Sequence, residues 1–247
     1  MPKTNVWPAD RDRSILLCGA AGISALAWWH MAAIAAGMKA HHHVTQVGPL
    51  FLMWAVMMVA MMLPSTIPFV FAFSAEQRRR HRQRMTLVPA AYFVAGYFAV
   101  WTAFSGVCAV LQNLLHQRAL LSPMMAATSS VLSGGILIAA GVYQFTPMKN
   151  ACLRHCRSPL TFLLSEWREG PLGAVHMGAG HGLFCIGCCW MLMMLPFAAG
   201  VMNLVWMGGI TVLLLLEKAA PGGPWIGRIG GALMVLAGVC AIAFSVA

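Results

Sequence analysis

Residues 176–190 read HMGAGHGLFCIGCCW and lie inside an apolar run, about 174–200, long enough to cross a membrane. Two histidines and three cysteines in or beside lipid are costly, and such residues mark a functional site by default. At 100° per residue, His181, Cys185 and Cys188 recur at i, i+4 and i+7 and share one stripe of a helix. Cys189 lies at the margin of that stripe, and Met177 lies one turn before His181. An imidazole and two thiols facing one way make a soft-donor set, for which copper(I) or zinc is the fitting ion.

The rest of the chain reads as a membrane protein around that stretch. Of 247 residues, 60% are hydrophobic and 9% charged, and the mean hydropathy is +0.76. A soluble domain carries about 25% charged residues, so the composition predicts an all-α, polytopic helical membrane protein. Apolar runs fall at about 15–38, 48–73, 88–115, 125–147, 174–200, 203–217 and 228–246, which gives about seven transmembrane helices in a single integral membrane domain, 1–247. The sixth run is short enough to be a half-helix. The first follows thirteen polar residues without an obvious cleavage site, so it is expected to be retained as a helix.

Basic residues orient the chain. With the amino terminus cytoplasmic, the inside segments hold Lys3, Arg11, Arg13, Arg78, Arg79, Arg80, Arg82, Arg84, Lys149, Arg154, Arg157, Arg168, Lys218 and Arg228. The outside segments hold only Lys39 and Arg118. The positive-inside rule therefore predicts a cytoplasmic amino terminus, with tryptophans near run ends as an interfacial belt. The net charge of +10 is spread through short loops and suits anionic headgroups, so the partner is the lipid bilayer and not nucleic acid.

Two further soft-ligand clusters stand out. In TPMKNACLRHCRSP (146–159), Thr146 can cap a helix that starts at Pro147, and Pro159 should end or kink it. Cys152, His155 and Cys156 then stand at i, i+3 and i+4 on one face. Paired cysteines on a reducing side bind metal or do redox chemistry more often than they form bridges; the plainer reading is a docked amphipathic helix. In the second span, Met53, Met57 and Met61 repeat every four residues, with Met58 and Met62 on the adjacent face. Thioethers bind copper(I) without burying a charge, although methionine is also an adaptable packing residue. Pro64 and Pro68 should kink this helix and free backbone carbonyls.

His176, shallower than Cys185, completes the candidate set with His181, Cys185, Cys188, Cys189, Cys152, His155, Cys156, Met57 and Met61. The His41–His43 triplet is a loop with a candidate capture role. Glu217 next to Lys218 is read as an interfacial ion pair or an inner-face ligand. Paired glycines at 134–135, 208–209 and 230–231 are read as close helix contacts.

Three segments also carry a resemblance. MWAVMMVAMMLPS (53–65), YQFTPMKNACLRHCRSP (143–159) and HGLFCIGCCWMLMMLPFAAGVMNLVWM (181–207), the last followed by LLEK (215–218), resemble a bacterial family of predicted metal-binding integral membrane proteins. The resemblance covers about residues 53–218 and implies a bacterial inner (cytoplasmic) membrane location and a bound metal, without supplying a reaction. The family pattern favours an arginine just before the His-Gly pair, where this chain has Ala179 and Gly180.

The leading expectation is handling of copper(I), with zinc as the alternative ion: binding, transport or delivery, including delivery to a copper-enzyme assembly partner. Scarce carboxylates in the spans argue against a hard-cation transporter. A membrane thiol-disulfide oxidoreductase using Cys185-Ile-Gly-Cys188 is the alternative, and haem ligation by His176 or His181 is a third reading. Six carboxylates and no nucleophile–base pairing lean away from an enzyme.

Overall fold

The computed structural model describes residues 10–38, 46–81, 87–122 and 125–246. The His41–His43 triplet and the basic residues Lys3, Lys39, Arg82 and Arg84 lie outside them. Ten helices are found among the described residues: α1 (Asp10–Met38), α2 (Val47–His81), α3 (Leu87–Gln117), α4 (Ser130–Tyr143), α5 (Pro147–Arg157), α6 (Pro159–Ser165), α7 (Gly170–Cys189), α8 (Leu195–Ala199), α9 (Leu204–Ala219) and α10 (Gly223–Val246). A 3₁₀ turn, Leu192–Met194, precedes α8. The only β pairing among the described residues is an isolated bridge between Leu121 and Ala127.

Five helices, α1, α2, α3, α7 and α10, are long and apolar enough to cross a membrane; α4 and α5 make a sixth if taken as one span bent by 64°. Helix α9 has 16 residues and measures about 24 Å, short of a ~30 Å hydrocarbon core. The expected fourth span, 125–147, is helical only over Ser130–Tyr143. The next helix begins as the sequence foretells: the Thr146 hydroxyl accepts from the Lys149 amide and Pro147 opens the first turn. Pro159 separates α5 from α6. The expected 174–200 span is also interrupted, because α7 ends at Cys189 and the chain turns through α8 to Gly200, whose φ of +98° suits a residue without Cβ.

Helix α2 runs through Pro64 and Pro68 as one element. Pro64 has no N–H to offer the carbonyl of Ala60, and the Ser24 hydroxyl of α1 donates to that oxygen at 3.3 Å. The freed carbonyl is thus taken up by a neighbouring helix.

Glycines set the tightest crossing. A Cβ on Gly178 of α7 would lie 1.9 Å from the Phe93 carbonyl of α3, and one on Gly96 would lie 2.0 Å from the Val175 carbonyl. Phe93 approaches Gly178 and Val100 approaches Gly182, so α3 and α7 run in the same direction with their backbones touching. The α4–α10 pair meets likewise, through Gly134 and Gly141 against Gly238 and Gly231. Gly135, Gly208 and Gly209 touch nothing, so only part of the glycine-pair expectation holds.

One large core fills the bundle. It buries ten methionines, among them Met53, Met57, Met58, Met61 and Met62 of α2, together with Cys156, Cys185, Cys188 and Cys189. A second, aromatic core joins Phe69 and Phe73 of α2, Phe93 of α3, Phe162 of α6 and Met177 of α7. Between the two lies the stripe of α7 on which the sequence placed its ligands.

Candidate metal centre

Cys185, Cys188 and Cys189 face inward from the last turns of α7, each at 1% exposure or less. Their three Sγ atoms lie within 4.8 Å of one another, the only such group among the described residues. An ion about 2.3 Å from each sulfur needs sulfurs about 4 Å apart, so the group matches the reach of a thiolate-bound ion. Cys156 of α5 brings a fourth thiol, its Sγ 3.8 Å from that of Cys188. Two of these thiols bond back to their own helix, as Ser and Thr hydroxyls do: Cys188 and Cys189 donate to the Cys185 carbonyl at 3.1 and 2.8 Å.

Cys185 is held from two further sides. The Lys218 ammonium, at the end of α9, donates to its Sγ at 3.1 Å and to Ser65 Oγ of α2 at 3.1 Å. Tyr97 Oη of α3 lies 3.1 Å from the same sulfur. An ammonium and a phenol on one buried sulfur compensate the negative charge that a metal-binding thiolate carries. Sequence reasoning missed Lys218, Tyr97 and Ser65. A lysine ending an apolar helix was the available signal, and it read as a partner for Glu217.

Glu217 is instead paired across the bundle. Its Oε2 accepts from Lys149 Nζ of α5 at 2.7 Å, with both side chains at 2% exposure or less. Arg157 donates to the backbone carbonyls of Glu217 and Pro221. These contacts clamp α5 to the end of α9, so the helix bearing Cys156 and the helix bearing Lys218 are positioned together.

His181 shares the buried face of α7, as its spacing predicts, and is 2% exposed. Its ring, however, is stacked at 3.6 Å on Phe69 and at 5.2 Å on Tyr97, and it is not part of the sulfur group. Cys152 is half-buried, with its Sγ against Gly187 of α7, where a Cβ would come within 2.6 Å of the sulfur. His155 is exposed and stacked on Phe184 at 4.2 Å. His176 is exposed on the first half of α7, two turns before Phe184, and is not brought to the thiols. Met57 and Met61 are fully buried in the same core as the thiols.

Fold and site together define an all-helical protein with a sealed nest of thiols, countered by one ammonium. The family model PpoB2, described as a copper chaperone, matches residues 51–241, and the chain belongs to that family. The match includes every thiol of the nest and α5. No curated protein matches the chain, and no solved structure does. Family and buried cysteine triad agree on a metal-binding, copper-related protein.

Proposed function

We propose that this chain is an integral membrane chaperone that holds copper(I) as cargo and hands it to a copper enzyme. The observation that carries the reading is the group of three buried Sγ atoms within 4.8 Å, matched by the Lys218 ammonium. Cys185, Cys188 and Cys189 form the seat with Cys156 beside them; Met57 and Met61 supply a neutral thioether wall, and His181 backs the seat from one turn away. Thiolates and thioethers suit a soft monovalent ion, and a bis-thiolate copper(I) unit with one ammonium is electrically neutral. Zinc draws on the same thiols and is the competing ion.

The proposed setting is a bacterial inner membrane, with residues 1–247 as one domain. The amino terminus is cytoplasmic, and the spans are seven: α1, α2, α3, α4 with α5, α7, α9 and α10. Packing supports the charge rule, since Arg154, Arg157 and Arg228, all assigned to the inside, line one pocket of α5 and α10. Arg80, another inside residue, stacks on Trp167 at 4.7 Å. The seat meets Lys218 at the end of α9 and Cys156 on α5. Its burial argues against the oxidoreductase alternative, because Cys185 and Cys188 cannot meet a soluble partner's thiols directly.

The test is anaerobic purification of the full chain, metal analysis, and the same measurement on Cys185→Ser, Cys188→Ser and Cys189→Ser. Copper should co-purify and fall to background in the variants. Copper content unchanged by all three substitutions, or zinc as the bound ion, refutes the assignment. A Cys185–Cys188 disulfide trapped in cells would favour the redox reading.

A further inference from the structure

The four thiols of the nest are shut away from water: Cys156 is 5% exposed, and Cys185, Cys188 and Cys189 are exposed by 1% or less. Copper(I) held by thiols moves by ligand exchange, and exchange needs an accessible sulfur. Only one thiol beside the nest has that access. Cys152 of α5 is half-buried, and its Sγ rests in the notch left by Gly187, the residue before Cys188. One turn on, His155 lies over Phe184, and Gly187 and Phe184 are themselves three residues apart on α7. His155 Nδ1 lies 3.0 Å from the Ala151 carbonyl; a carbonyl only accepts, so Nδ1 carries the proton. In the neutral ring that leaves the lone pair on Nε2, on an exposed side chain.

We infer that Cys152 and His155 form a separate copper(I) entry site, through which the buried nest is loaded. The inference rests on the nest being the copper seat, and it assigns to this pair the kinetic step that the seat's burial forbids. The incoming ion arrives on a thiol donor. A bond forms from copper to Cys152 Sγ as the donor's copper–sulfur bond breaks, the Cys152 proton passing to the departing donor sulfur. Nε2 of His155 completes a two-ligand site. In the second exchange, a bond to Cys188 forms as that to Cys152 breaks, the Cys188 proton passing to Cys152, while a bond to the Cys185 thiolate beside the Lys218 ammonium replaces that to His155 Nε2. Copper stays monovalent throughout, so no oxidant or reductant is needed. The glycine at 187 has a role in this scheme: a side chain there would push Cys152 from the nest.

The test uses the full chain in detergent, anaerobically, with copper(I) supplied as its bicinchoninate complex. Loading is followed by the loss of the complex's absorbance, and affinity by equilibrium competition. Cys152→Ser and His155→Ala should leave equilibrium affinity within about twofold and slow loading by about tenfold or more. Cys185→Ser should abolish tight binding in the same assay. Loading of Cys152→Ser at the unsubstituted rate overturns the entry site. So does loss of equilibrium binding in Cys152→Ser as large as in Cys188→Ser, which would make Cys152 part of the seat. Tight binding retained by Cys185→Ser would instead strike down the seat itself, a result distinct from either.

Discussion

Gly178→Ala is a small change with a calculable consequence. The added methyl would sit 1.9 Å from the Phe93 carbonyl, about 1.5 Å inside the 3.4 Å at which ordinary contact begins. The obstacle is helix backbone and not the tip of a flexible side chain, so α3 and α7 must separate. Separation by that amount carries Tyr97 Oη from 3.1 Å to about 4.6 Å from Cys185 Sγ, beyond hydrogen-bonding reach. Overpacking of this kind costs about 1–3 kcal/mol, and a backbone obstacle puts the expected loss at the upper end. The lost donor should weaken copper(I) retention by about tenfold, as removal of a supporting hydrogen bond does at other metal sites. Thermal unfolding in detergent reads the first effect and chelator competition the second. Gly208→Ala is the control: nothing lies within 4 Å of its Cβ, and alanine in a helix gains about 0.5–1 kcal/mol over glycine. If Gly178→Ala behaves like Gly208→Ala in both assays, the close crossing and its link to the site are wrong.

Lys149→Ala should destabilise the protein by about 3–5 kcal/mol, because Glu217 is left buried without its counter-charge. Lys149→Met combined with Glu217→Leu should recover most of that loss, and additive costs in the unfolding assay would contradict the pairing. Lys218→Met removes the ammonium from Cys185 and should cut copper(I) retention by about 10–100-fold, with Lys218→Arg retaining part of it. Retention equal to that of the unsubstituted protein would dismiss Lys218 as counter-cation. Met57→Leu with Met61→Leu nearly conserves volume and should cost less than about 1.5 kcal/mol while lowering copper retention. Full retention would return both methionines to a packing role. For topology, a reporter fused at the amino terminus should be active only in the cytoplasm and one at the carboxyl terminus only outside; the reverse pattern inverts the assignment.

The CLRHC and CIGCC motifs lie 29 residues apart from Cys156 to Cys185, yet the structure joins them through α5 packed on α7. Their separate helical faces could be read from spacing, since residues three and four apart must share a face. Their meeting could not, because it depends on the bend between α4 and α5 and on the Lys149–Glu217 clamp. The methionine stripe of α2 was equally legible as a stripe, and its burial against the thiols was decided by packing.

His181 shows where periodicity stops. Its spacing placed it on the buried face, and there it is; whether its ring turned to the thiols or to the aromatics depended on Phe69 and Tyr97. Lys218 shows the opposite failure. Beside Glu217 in sequence, it looked like half of a local ion pair, but adjacent helix residues point about 100° apart and reach different neighbours. Composition and period by themselves determined an all-helical chain of long apolar helices carrying soft ligands at fixed helical faces, because those properties follow from local geometry and from the cost of burying charge. The tertiary structure alone decided which faces met, since glycine notches, a cross-bundle ion pair and a bent helix pair act between residues far apart in the chain. It was those contacts that brought Lys218 and Tyr97 to Cys185 and left Cys152 at the edge of a closed nest.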